Sequence, residues 1–210
     1  KLVLLAKNLN WYRNIISLAS KASLDNAGQT PFVTLDDIRE KSSDIVCLSG
    51  PISWEIPYYI LSWKSDEEIL ARIEEYKSIF WIDNYFLELL YHEDVPKQKL
   101  VTDKLIDLHK NHWTKVVATN NGYYIHKEDK KTQDVIKALW TGHEIDNPDR
   151  PTLINGDYSF LTEEEMQVLF GFIPEALENT QKIADMVDIE IETGWVLIPR
   201  FTLPEEHQKI

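Results

Sequence analysis

Six histidines and a dense set of carboxylates are the side chains with chemistry to offer. His109 and His112 stand three residues apart, a spacing that can hold a metal ion on one helix face. The same pair also suits a helix C-terminus, where positive charge meets the negative end of the dipole, and this is the commoner use. His92 and His126 each follow a strand-like run, a place with many structural uses for an imidazole. Glu88 lies inside such a run and reads as a paired or core-lining carboxylate. The acidic runs Asp66–Glu68 and Glu163–Glu165 fall in helix first turns, where negative charge complements the dipole. No Gly-rich phosphate loop, G-x-S-x-G turn, Ser/His/Asp set or paired aspartates of a two-metal nucleotidyl-transfer site is present. No residue is therefore read as catalytic.

The stretch around which the chain is organised is KVVATNNGYYIH, Lys115–His126. Val116, Val117 and Ala118 form a short apolar run that ends in Thr119, Asn120, Asn121 and Gly122, a strand opening into a polar turn. In parallel α/β folds the carboxyl ends of strands are where sites are built.

The elements around it alternate. Leu2–Ala6 predicts a strand and Trp11–Ser23 a helix, with Ile15, Leu18, Ala19 and Ala22 on one face. Thr34 with Asp37 starts a short helix over Leu35–Lys41, followed by a strand over Asp44–Leu48 and a strand-end loop over Ser49–Trp54. Ser65 with Glu68 starts a helix whose face is Ile69, Ile73, Tyr76 and Phe80, leading to a strand over Tyr85–Leu90. Pro96 opens a helix with Val101, Leu105 and Leu108 inward, which delivers the chain to Val116. The alternation predicts a parallel sheet or barrel. After Lys127 come a helix over Lys130–Leu139, a Pro-rich connection through Pro148 and Pro151, a helix capped by Thr162 with Glu165, and another with Pro174 near its start. Val196–Phe201 reads as a short extended tail.

With 210 residues and 43% hydrophobic content, the chain can bury one sizeable core. A formal charge of -13 argues against a general nucleic-acid-binding surface, which needs clustered Lys and Arg. One cysteine, Cys47, excludes an internal disulfide, and no apolar run is long enough to span a bilayer. The cytoplasm is the expected compartment, with no membrane partner. Because the sequence starts at Lys1 inside an apolar run, it is read as an internal fragment.

Several pieces in order, LLAKN at Leu4–Asn8, CLSGPI at Cys47–Ile52, DNYFLELLYH at Asp83–His92, the VVATNN strand and DRPTL from Asp149, resemble the PHP (polymerase and histidinol phosphatase) domain of the alpha subunit of bacterial replicative DNA polymerase III, a C-family polymerase. Downstream, the run Glu163–Asp185 is similar to the helical exit from that domain, and LIPRF from Leu197 to the lead-in to the polymerase palm. The resemblance implies an α/β fold: residues 1–150 as the later part of a distorted, TIM-like (β/α)7 PHP barrel, and residues 151–210 as a helical exit towards the palm.

Metal-binding members of this family hold a metal cluster at the strand ends. Laid on this chain residue by residue, the Asp of the strand-end motif falls on Asn121 and its His on Tyr123. The Cys after S-G falls on Pro51, and a His before the first strand on Lys1. None of the four is a good ligand for a hydrolytic metal, which needs anionic or imidazole donors.

The resemblance implies a fragment of a DNA-directed DNA polymerase in which this stretch is a metal-free scaffold. No cofactor is expected in the fragment, and magnesium is expected for the parent polymerase. The implied partners are the rest of the alpha chain and, through this domain, a proofreading exonuclease and other replisome subunits. DNA is engaged only through the parent protein. The alternative is a metal-dependent PHP phosphoesterase or intrinsic proofreading exonuclease that uses ligands upstream of Lys1.

Tryptophan and glycine both number 7, and together they approach the roughly 7% that glycine alone takes in an ordinary chain. Trp11, Trp54, Trp63, Trp81, Trp113, Trp140 and Trp195 fall where the family pattern has glycine. Several lie just after predicted helices, where a positive φ is often needed. The expectation is that these are glycines in the living protein, encoded by UGA in a genome that reads UGA as glycine; the competing reading is an aromatic-rich surface.

Overall fold

The computed structural model describes residues 1–42, 44–92, 95–154 and 156–194. The expected tail Val196–Phe201, LIPRF and Trp195 lie outside the described residues.

Four strands form one sheet in the order β1-β2-β3-β4: β1 Val3–Ala6, β2 Ile45–Leu48, β3 Tyr85–Leu89 and β4 Val116–Ala118. β2, β3 and β4 run parallel, as the alternation predicts. β1 does not; it pairs antiparallel to β2 with Val3 opposite Leu48 and Ala6 opposite Ile45. The reason is the connection. Two helices, α1 (Leu9–Asp25) and α2 (Leu35–Arg39), lie between β1 and β2, so the connection is not the single crossover helix that joins parallel neighbours.

Side chains alternate across the sheet with period two. Ile45, Cys47, Tyr85, Leu87, Leu89, Val116 and Ala118 pack on one face against Ile56, Ile60, Ile69, Ile73, Phe80, Val101, Leu105 and Leu108. These come from α3 (Glu55–Leu61), α4 (Asp66–Phe80) and α5 (Gln98–His112). Val46, Leu48, Phe86 and Val117 form the other face with Ile183. Both faces are buried, which is why the strands read as continuous apolar runs rather than alternating ones. Each buried Val, Leu, Ile or Phe among them contributes roughly 1.5–3 kcal/mol.

Helix starts follow their caps. Thr34 with Asp37, Ser65 with Glu68 and Thr162 with Glu165 form reciprocal capping boxes, each side chain accepting from an otherwise unpaired backbone N–H. α3 was not foreseen: its sequence EIPYYIL is nearly all apolar, carries a proline, and shows no period. α5 begins at Gln98, not at Pro96, because Lys97 takes a left-handed conformation as its N-cap. Beyond β4 come a 3-10 turn at Lys127–Asp129, α6 (Lys130–Thr141), α7 (Glu163–Phe170) and α8 (Pro174–Asp185).

α8 covers the open edge of β4. Asn179 donates to the carbonyl of Val116 and Thr180 to that of Ala118. α8 is thus packed on the sheet. The described strands make a four-stranded sheet, and no described helix is long and apolar enough to cross a membrane.

Candidate functional site

The carboxyl ends of β2, β3 and β4 share one edge of the sheet, and the antiparallel direction of β1 brings its amino end there too. The four positions onto which the resemblance lays the family's ligands therefore lie at the same end of the sheet: Lys1 precedes β1, Pro51 follows β2, and Asn121 and Tyr123 follow β4. Among the described residues there is no group of three or more His, Cys, Asp or Glu that could hold a metal ion.

Glu88 sits at the centre of this edge. Its carboxylate accepts from the Thr119 hydroxyl at 2.6 Å, while its other oxygen is buried without a partner. The Glu88 backbone N–H in turn donates to Ser49 Oγ at 3.0 Å. Glu88 therefore ties the ends of β2 and β4 together. Burial pushes its carboxyl above the ordinary glutamate value, against the opposing pull of Thr119 and Gly50.

The turn after β4 is held by the segment 157–161. Asn120 donates to the Ser159 carbonyl at 3.3 Å and accepts from the Leu161 N–H at 3.3 Å. The Tyr123 N–H donates to the Tyr158 carbonyl at 2.8 Å, and its ring meets Tyr158 edge-on with centroids 5.6 Å apart. Tyr123 is thus part of an aromatic contact. Asn121 is half-buried beside it, and Pro51 brings no donor or acceptor atom in its side chain. These four residues do not fit a hydrolytic metal cluster.

His92, which follows β3, is only 8% exposed. Its Nδ1–H donates to the carbonyl of Asp157 at 3.0 Å, which leaves Nε2 as a bare acceptor, buried and without a partner. Burial pushes its pKa below that of a free histidine, against the opposing pull of the Asp157 carbonyl and charge. His92 lines a cleft of about 460 Å3 between the end of β3 and α7, with Lys127, Asp157 and Glu165 on its walls. Lys127 Nζ lies 3.6 Å from Asp157 and 3.4 Å from Glu165. The sequence marked His92 by its place at a strand end, but Asp157 and α7 could be matched to it only in three dimensions.

The other candidates are structural. His109 donates from Nδ1 to the Thr114 carbonyl at 2.7 Å, tying down the end of α5, while His112 is exposed. His126 caps the 3-10 turn, its backbone N–H donating to Asp129. The thiol of Cys47 is fully buried, and burial pushes its pKa well up, so it offers no nucleophile. DRPTL has a structural role: Arg150 makes a two-pronged pair with Asp134 of α6, and Thr152 donates to the same carboxylate.

Residues 1–92 match the PHP domain family model. The chain is similar to the DNA polymerase III subunit alpha of Thermus aquaticus, 35% identical over 97% of the chain. It is also similar to those of Borreliella burgdorferi, 31% identical over 98%, and Treponema pallidum, 29% identical over 98%. It spans 17% of the Thermus and Treponema proteins and 18% of the Borreliella protein.

Proposed function

Since this chain belongs to the DNA polymerase III alpha-subunit family and lies in its PHP-domain region, we propose that it serves as a metal-free scaffold within a DNA-directed DNA polymerase. In this reading residues 1–150 are the later part of a (β/α)7 PHP barrel and residues 151–210 lead towards the palm. The parent extends a primed DNA strand with magnesium in a palm outside this chain. The PHP surface supports that palm and docks a separate proofreading exonuclease. One observation carries the scaffold reading: the strand-end edge where Lys1, Pro51, Asn121 and Tyr123 lie offers no anionic or imidazole donor at any of these four positions, and Tyr123 is engaged by Tyr158.

A second reading, a PHP phosphoesterase or intrinsic proofreading exonuclease, is favoured by the bare Nε2 of His92 in a cleft with Asp157 and Glu165. Full-length protein purified without chelator separates the two. The scaffold reading expects primer extension without 3′-exonuclease activity. The second expects a nuclease that is lost on stripping tightly held metal and on His92→Ala.

A further inference from the structure

Among the described residues, four other than glycine have positive φ: Trp63, Trp81, Lys97 and Trp113. Three of the four carry the bulkiest side chain there is, in a conformation where Cβ crowds the following carbonyl.

Trp63 provides the closest comparison, because the chain contains its own control. After α3, the Trp63 N–H donates to Ile60 and the Lys64 N–H to Tyr59, the paired bonds that close a helix through a left-handed residue. After α6, Gly142 donates to Leu139 and His143 to Ala138, the same offsets. The φ values are 56° at Trp63 and 67° at Gly142. The same helix ending is built once with glycine and once with tryptophan.

Trp81 ends α4 at φ 68° and ψ 148°, a region that residues with a Cβ essentially never occupy. Trp113 ends α5 at φ 52° and ψ 34°, in the left-handed well. Nothing in the packing offsets the strain, since the three residues are 83%, 55% and 88% exposed.

We infer that positions 63, 81 and 113 are glycine in the polypeptide made by the source cell, through a codon, UGA, that is tryptophan in one genetic code and glycine in that cell's. The three indoles are then no docking patch, despite their exposure. The geometry carries the inference at these three positions. Trp54 has an extended backbone as the N-cap of α3, and its ring lies where a Cβ on Gly50 would be. Trp11 and Trp140 lie within α1 and α6.

The test is peptide mass spectrometry of the protein from its source cells, together with the codons at the same positions. Glycine in the peptides spanning 63, 81 and 113, over UGA codons, is the expected result, and tryptophan in those peptides overturns the inference. A second measurement uses the full-length protein made recombinantly with tryptophan throughout. Trp63→Gly, Trp81→Gly and Trp113→Gly should each raise the thermal midpoint, while Trp140→Gly, inside a helix, should lower it. Three glycine variants that all lower the midpoint as Trp140→Gly does would contradict the geometric argument.

Discussion

The side chain of Asn179 donates from Nδ2 to the backbone carbonyl of Val116 at 2.7 Å, across 63 residues of chain. Thr180 does the same for Ala118 at 3.1 Å. These two carbonyls face away from β3, so α8 satisfies the edge of β4 where another strand would otherwise pair.

Asn179→Leu removes the donor and leaves the Val116 carbonyl buried without a partner, at a cost of about 1–3 kcal/mol. In the full-length protein, hydrogen exchange at the Val117 and Thr119 amides should speed up accordingly. Unchanged exchange there would show that α8 is not what holds the edge.

Arg150 and Asp134 make a second long link, between the Pro-rich connection and α6. The guanidinium pulls the Asp134 pKa from 3.8 down to about 2. A depressed carboxylate stabilises the fold above its unfolded value and loses that contribution as pH falls through its folded value. The loss should therefore run between about pH 4 and pH 2. Hydrogen exchange of the α6 amides, corrected for intrinsic rates, should show this acid loosening in the native protein and not in Asp134→Asn, which is looser at every pH.

Glu88 has the opposite sign. Its pKa is raised by burial, so the fold binds its proton more tightly than the unfolded chain does, and stability falls as pH rises past the unfolded value. Glu88→Gln, which keeps an oxygen for Thr119, should raise the thermal midpoint at neutral pH, and the gain should vanish near pH 4. A gain of equal size at both pH values would mean that charge is not the cause.

Ser65 accepts from the Glu68 N–H at 3.2 Å and Glu68 returns the bond to the Ser65 N–H at 3.0 Å. Ser65→Ala should cost about 1 kcal/mol, read as faster exchange confined to the first turn of α4.

That box was legible in the sequence because a cap is a matter of residues three apart, and the same holds for Thr34 and Thr162. The strand ends were legible too, since Val116–Ala118 stops at a run of polar residues. What escaped reading depends on distant partners. β1 reverses because α1 and α2 together join it to β2, which no local period records. α3 is buried on account of neighbours in α4 and α5, and its composition alone resembles a strand as much as a helix. At the site, the place of Asn121 and Tyr123 was readable, but not that Tyr158, 35 residues beyond Tyr123, takes up its ring. Nor did the pairing of His92 with Asp157 have any signal in spacing.

The account turns on whether the strand ends grip an ion. Elemental analysis of the full-length protein, purified without chelator and paired with a 3′-exonuclease assay, addresses this directly. The account predicts less than stoichiometric zinc and manganese and no chelator-sensitive nuclease. Stoichiometric transition metal that is released by substituting Asn121 or Tyr123, with nuclease activity lost in step, would contradict it.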